Sequence, residues 1–501
     1  MSHINKIFGP PGTGKTTYLL NVVDKEIADG VSSNRIGYFS FTRKAANEAR
    51  DRAIAKFPFL NEKTDFPFFR TLHSLAFHAM TVKSDMIMQP EHYREFAAQT
   101  GIDLDVAYDL EEFSIAKADN PILNEINLAR IRGSDLREHY NQCGLDIEWY
   151  HFEFVERSYR HYKRSKDLLD FTDLLEMAVV EHDRLPTLDV LIVDEAQDLS
   201  RLQWLIVESL AAKAKRVFLA GDDDQAVFTW AGADVKSFLA FEGTVTVLAQ
   251  SYRVPSAVHA LADAIVHRIR ERQPKEWKAR DFEGLVKTYY RFEDVPVDEG
   301  QWLIMAATNY MLNPVHEWLK SQGILFERSG VPSLSTVMIK AVSSWEALRR
   351  GEMVMGSEVR GIYKYLGGEF VTRGHRTFKG GEDGKQYTLN GLKKSHGLTT
   401  DDIWHTALSR IPEEKREYLI AVLRRKTKLS TVGRIKLSTI HGAKGGEADN
   451  VMLIMDLSPK FAKEYATNGD NVHRLFYVGI TRAKQSLHLV LPKFQDKGFR
   501  L

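Results

Sequence analysis

The fourteen residues Ile4–Thr17, INKIFGPPGTGKTT, decide the fold. Gly9 to Thr16 fits G-x-x-x-x-G-K-[ST], with an apolar run, Ile4 to Phe8, ahead of it and the helix-like TTYLLNVVDKEIADG behind it. Strand, loop and helix therefore stand in the order a phosphate-binding loop requires. Gly9, Gly12 and Gly14, with Pro10, Pro11 and Thr13 between them, let backbone N–H groups curl round a phosphate at a helix N-terminus. Lys15 adds positive charge at the outer phosphates, Thr16 offers a hydroxyl to Mg²⁺, and Thr17 continues the loop into the helix. ATP and Mg²⁺ are the expected cofactors.

Working outward, short apolar runs bounded by turn or charge signals recur as RIGYFSF, LDVLIVDEA, RVFLAGD, TVTVLAQ, LIMAAT, NVMLIMD and LHLVL. With helix-period segments between several of them, they predict buried parallel strands joined by crossover helices, an α/β fold. The runs cluster at residues 4–41, 188–250, 302–308 and 451–491, whereas 80–170 and 335–430 look mostly helical. Two α/β cores, each interrupted by an insertion, is the simplest parse. LDVLIVDEAQD places Asp194 and Glu195 at a strand's C-terminal end, beside the loop. There Asp194 would hold Mg²⁺ through water and Glu195 would align and deprotonate the attacking water. RVFLAGDDDQ ends similarly and offers Gln225, an uncharged side chain able to report on a γ-phosphate.

The chain of 501 residues has the composition of a protein folded throughout, with 44% hydrophobic and 27% charged residues. Its one cysteine, Cys143, excludes an internal disulfide, a thiolate zinc site and an iron–sulfur cluster, so a reducing, cytoplasmic setting is expected. No window approaches the ~20 apolar residues that span a bilayer, and no signal-peptide stretch opens the chain. The formal charge is +1, but residues 340–436 hold 20 Lys/Arg against 11 Asp/Glu. That basic segment sits inside an otherwise acidic chain.

Nine strings occur in a fixed order: GPPGTGKTT, YFSFTRKAANEAR, RTLHSLAF, LLDFTDLL, LIVDEAQD, LAGDDDQAVFTWAGAD, LAQSYR, LSTIHGAKGGEADNV and LFYVGITRAKQSL. Read together, from Gly9 to about Leu491, they resemble the UvrD/Rep family of superfamily 1 DNA helicases. The resemblance implies two RecA-like cores that clamp ATP while single-stranded DNA lies across both. It assigns residues 1–80 and 171–243 to the first core, 81–170 to its helical insertion, 244–332 and 433–501 to the second core, and 333–432 to a reduced basic insertion. By the same resemblance Arg253 in QSYR and Arg482 in GITRAK are the arginines that the second core points at the γ-phosphate. Tyr252 is the adenine-stacking aromatic and Glu447 the ribose contact. The implied DNA contacts are Phe41, Thr42, Arg43, His73, Phe228, Trp230, Thr439 and His441. Aromatic faces accept any base and small polar groups hold phosphates, so sequence-tolerant binding is expected.

Three departures from the family pattern stand out. Only eight residues precede Gly9, where the family carries a glutamine motif that reads adenine further upstream. TFTN is SFTR here, which adds Arg43, and Gly446 replaces the usual Leu of AKGLE. Little chain follows LHLVL, so a C-terminal partner-binding extension or fused nuclease is not expected. Arg349, Arg350, Arg373, Arg376, Lys393, Lys394 and RRKTK at 424–428 make either a duplex-DNA contact or a solvated basic face. VERSYRHYKRSK at 155–166 reads as a DNA-contacting helix or, preferentially, an ordinary amphipathic one. The expected protein is a monomeric ATP-dependent motor on single-stranded DNA and its duplex junctions, moving 3′ to 5′ and unwinding duplexes. The alternatives are a translocase that strips proteins without efficient unwinding and a nucleotide-gated DNA clamp.

Overall fold

Ile4–Phe8 becomes a strand because it is apolar, lacks Gly and Pro, and has a partner on each side. The computed structural model describes residues 3–57, 65–104, 106–107, 117–118, 120–378, 383–425, 433–494 and 497–501. Its contacts divide the chain into two units, Met1–Gly284 with Lys463–Thr481, and Leu285–Ala462 with Arg482–Leu501.

The first unit is built on a six-stranded sheet of β1 (His3–Phe8), β2 (Ile36–Phe39), β3 (Phe69–Arg70), β4 (Val190–Val193), β5 (Arg216–Gly221) and β6 (Thr244–Val247), in the order β3-β2-β4-β5-β1-β6. Every pairing is parallel. β2 and β4 are buried along their length, and β1 and β5 at the ends that lead to the loops, as parallel sheets covered on both faces require. Helices α1 (Lys15–Ala28), α2 (Arg43–Lys56) and α3 (Leu72–Ala79) belong to this core. The described residues between 81 and 170 are mostly helical, and α4 (Pro121–Arg132) and α5 (Trp149–Ser165) help to enclose their own apolar cluster. Arg130 of α4 docks this insertion on α6 (Phe171–Val180), within 2.8 Å of Asp170, 2.6 Å of Asp173 and 2.7 Å of Glu176. In α5, Tyr159 and Tyr162 point into the apolar cluster and Lys163 pairs with Asp170. The helix is thus amphipathic, and Tyr159 and Tyr162 are core residues.

The second unit carries a seven-stranded sheet of β7 (Leu285–Tyr289), β8 (Trp302–Ala306), β9 (Glu327–Arg328), β10 (Val331–Pro332), β11 (Ile435–Thr439), β12 (Ala448–Ile454) and β13 (Ala483–Val490), ordered β10-β9-β11-β8-β12-β13-β7. Only the β9–β10 pair is antiparallel. The described residues between 333 and 425 are largely helical. Several cations of this segment are engaged: Arg349 with Glu346 at 2.7 Å, Arg350 with Glu352 at 2.7 Å and Lys393 with Asp401 at 3.1 Å. Lys426 and Lys428 of the RRKTK run lie outside the described residues.

The expected boundary at residue 243 is corrected. β6 lies beyond it yet pairs with β1, and the first unit runs to Gly284 and takes in helix α7 (Asp470–Ile480). Hydrogen bonds from the backbone N–H groups of Arg270 and Glu271 to the Asp470 carboxylate fasten that helix there.

Candidate active site

The Gly9–Thr17 loop leaves β1 as a tight cradle. The Gly9 N–H donates to the Gly221 carbonyl at 3.0 Å, and the Thr13 hydroxyl closes the turn on the Pro10 carbonyl at 2.8 Å. Gly12 and Gly14 have φ of 73° and 79°, the left-handed region that glycine enters without a Cβ penalty. A Cβ at Gly9 would lie 2.0 Å from Lys15 Cγ, and one at Gly12 2.3 Å from the Arg253 Cβ. Glycine is therefore needed for the close approach of backbone that a phosphate cradle uses. The Lys15 ammonium is 3.1 Å from the Gly9 carbonyl and 3.6 Å from Glu195, the contacts a bound phosphate would replace.

Asp194 follows β4, buried, and accepts hydrogen bonds from the Tyr38 hydroxyl at 2.9 Å and the Thr16 hydroxyl at 3.4 Å. Burial and the neighbouring Glu195 lift its carboxyl to about 6, against the pull of Lys15. A divalent cation beside Thr16 and Asp194 would remove that penalty, so the donor set fits Mg²⁺. Glu195 has φ 52° and ψ 41°, a left-handed conformation unusual for a residue with a Cβ. Such backbone costs about 1–3 kcal/mol and persists only where its surroundings impose it. Here Gln197 donates to the Glu195 carboxylate while its own carbonyl oxygen accepts the Asp222 N–H at 2.9 Å. Gln225, also buried, donates to Asp222 at 2.7 Å.

The segment after β6 closes on the same loop. The Ser251 hydroxyl donates to the Pro11 carbonyl at 2.7 Å and the Tyr252 N–H to the Gly12 carbonyl at 2.8 Å. Tyr252 is 73% exposed, an aromatic face held at the loop by its own backbone. Arg253 thus belongs to the unit that carries the phosphate loop, which corrects its expected assignment to the second core.

On the same unit Phe41 stacks on Phe228 at 5.6 Å, and Phe228 meets Trp230 edge-on at 6.4 Å. Phe228 is buried, whereas Trp230 is 52% exposed. The Thr42 side chain caps α2 by accepting the Ala45 N–H. Arg43 and His73 line one cavity of about 600 Å³ together with Arg50, Arg70, Phe69 and Phe77. Burial, with Arg43 nearby, pulls the His73 imidazole down to about 4, so it is neutral at pH 7 and offers hydrogen bonds rather than charge. The buried Arg70 Nε has no hydrogen-bond partner among the described residues. A phosphate oxygen would supply one.

Two family models match the chain: the UvrD/REP helicase N-terminal domain over residues 2–246 and the UvrD-like helicase C-terminal domain over residues 406–493. The chain belongs to the UvrD/Rep helicase family. Among its relatives is an ATP-dependent DNA helicase PcrA of Bacillus subtilis, 25% identical over 384 residues that cover 71% of this chain and 50% of that protein. The PcrA of Leuconostoc citreum is 27% identical over 319 residues, covering 60% and 41%. The chain spans about half the length of the curated relatives it matches.

In the second unit of this UvrD/Rep-family chain, Arg482 begins the turn into β13. It is 1% exposed and its guanidinium donates to the Gly446 carbonyl at 3.3 Å. Glu447 is exposed, 3.6 Å from Lys484. Thr439 ends β11 and its hydroxyl oxygen accepts the Gly442 N–H at 3.1 Å, while His441 stacks on Phe461 at 6.2 Å. Sequence reading passed over Gln197, Tyr38 and Ser251. All three lie inside the motifs YFSFTRKAANEAR, DEAQD and AQSYR, but their roles depend on which distant groups the fold brings to them. Among the described residues no helix is long and apolar enough to cross a membrane.

Proposed function

We propose that this protein is a Mg²⁺-dependent ATPase that drives movement along single-stranded DNA, 3′ to 5′, and unwinds duplexes. The observation that carries this reading is the convergence of Lys15, Asp194, Glu195 and Tyr252 on one phosphate loop, on a unit that also displays the Phe41–Phe228–Trp230 row. The direction of movement rests on the likeness of AKG and YVGITRAK to the UvrD branch.

In this reading the phosphates take Lys15 from Glu195, which frees the carboxylate to accept a proton from the attacking water. Mg²⁺ at Thr16 and Asp194 would neutralise charge on the outer phosphates. Tyr252 stacks on the base, Glu447 contacts the ribose, and Gln225 reports on the γ-phosphate. Arg482 completes the site when the second core closes on it, so hydrolysis and release alternate the grip of the two cores on the strand. Thr439 and His441 hold the strand on the second core, as Thr42, Arg43 and His73 do on the first.

The test is ATP turnover with and without single-stranded DNA, and stimulation by the DNA is the expected result. Turnover that ignores DNA would leave only the nucleotide-gated clamp. The engaged cations of the basic insertion favour a second reading, a translocase that strips proteins without efficient unwinding. Strand displacement on bare duplex, run beside displacement of a bound protein, separates the two. Trp230→Ala is expected to weaken single-strand binding by about 1–3 kcal/mol, or roughly 5- to 150-fold, in an anisotropy titration. ATP binding without DNA should be unchanged.

A further inference from the structure

The turn after β5, Asp222-Asp223-Asp224, is fully buried, and its carboxylate oxygens lie within 4.8 Å of one another, close enough to hold a cation. A cation of the protein's own is already there. The Lys275 ammonium is 3.2 Å from Asp222, 2.8 Å from Asp224 and paired with Asp223, and its side chain is 1% exposed. Arg272 grips Asp224 with two hydrogen bonds, 2.8 and 2.7 Å, and the Gln273 N–H donates to Asp223 at 2.8 Å. Burial opposes the charge on Lys275, but Asp222, Asp224 and Asp223 outweigh it and hold its pKa above the ordinary lysine value.

A buried ion network of this kind is a weak source of stability, because desolvation offsets much of the attraction, and an apolar core of equal volume often does as well. What it secures is geometry. One oxygen of Asp222 faces Lys275 while the other accepts the Gln225 amide at 2.7 Å. The Asp222 N–H is held by Gln197, which also holds Glu195. Lys275 therefore ties the stretch downstream of Tyr252 and Arg253 to the turn that aims Gln225.

We propose that Lys275 is a positioning residue for ATP hydrolysis, fixing Asp222 so that the Gln225 amide is presented to the terminal phosphate in register with Arg253. This rests on the ATPase reading above. The experiment is a double-mutant cycle on the full chain, with wild type, Lys275→Met, Gln225→Ala and the double variant, and Arg272→Met as a control that touches Asp224 but not Asp222. Lys275→Met is expected to lower kcat of DNA-stimulated turnover about 10- to 100-fold, with KM for ATP within about twofold, and the double variant should be no slower than Gln225→Ala. Arg272→Met should keep kcat within about threefold even where its melting temperature falls.

Multiplicative losses in the double variant, or an unchanged kcat in folded Lys275→Met, would overturn the proposal. So would equal kcat losses in Lys275→Met and Arg272→Met. If Lys275→Met does not fold, Lys275→Gln combined with Asp224→Asn removes one charge of each sign and repeats the cycle against Gln225→Ala. A wild type without DNA-stimulated turnover sinks the ATPase reading itself. A wild type that turns over and is slowed by Gln225→Ala leaves that reading intact, so the Lys275 arms alone then decide.

Discussion

Glu195→Gln lowers DNA-stimulated ATP turnover by about 10²- to 10⁴-fold, the range a positioned general base contributes, while ATP binding is retained or tightened. The substitution keeps the shape of the side chain and removes only the group that accepts the proton. Lys15 loses its charged partner at 3.6 Å, so no carboxylate competes with the phosphates for it, which is why affinity should not fall. Single-turnover hydrolysis beside equilibrium binding of a fluorescent ATP analogue measures both. A variant that turns over at more than a tenth of the wild-type rate would remove Glu195 from the chemistry. The left-handed backbone at this position supports the assignment independently, since the fold bears that strain to hold one carboxylate.

Arg482→Ala and Arg253→Ala should each reduce kcat by about 10³- to 10⁵-fold if their guanidinium groups meet the charge that develops on the transferred phosphoryl group. The two should differ in their other effects. Arg253 abuts Gly12 of the phosphate loop, so its loss should also weaken nucleotide binding in the absence of DNA. Arg482 sits in the second unit on the Gly446 carbonyl, so its removal should leave ADP affinity intact. Arg482→Lys keeps the charge without the planar fork and should restore folding better than rate. ADP affinities that fall equally in both variants would contradict this division of labour.

The first core's chemistry was legible because it is local. GPPGTGKTT and LIVDEAQD each carry their strand, their turn and their functional side chains within about a dozen residues. What escaped reading depends on pairings far apart in sequence. TVTV at 244–247 reads as a strand, but nothing in its residues says that it lies beside β1 rather than opening the second sheet. The stacking of Phe41 on Phe228 joins two motifs that look unrelated as strings. Tyr159 and Tyr162 alternate with cations as a surface helix would, yet the 3.6-residue period turns both rings inward. Lys275 and Arg272 resemble solvated surface charges until three buried carboxylates are found beside them.

The position of β1 between β5 and β6 has a consequence for biosynthesis. When His3–Phe8 leaves the ribosome, neither of its neighbours exists, and the chain must be extended through Val247 before both edges are covered. Until then an apolar strand is open to wrong pairing, and the Gly9 N–H lacks the Gly221 carbonyl that shapes the loop. Nucleotide therefore cannot help the chain to fold before Val247 has emerged, because its own receptor is not yet assembled. Helix Asp470–Ile480 arrives later still, so the first unit is finished only after the whole of the second unit's sheet except β13 has been made.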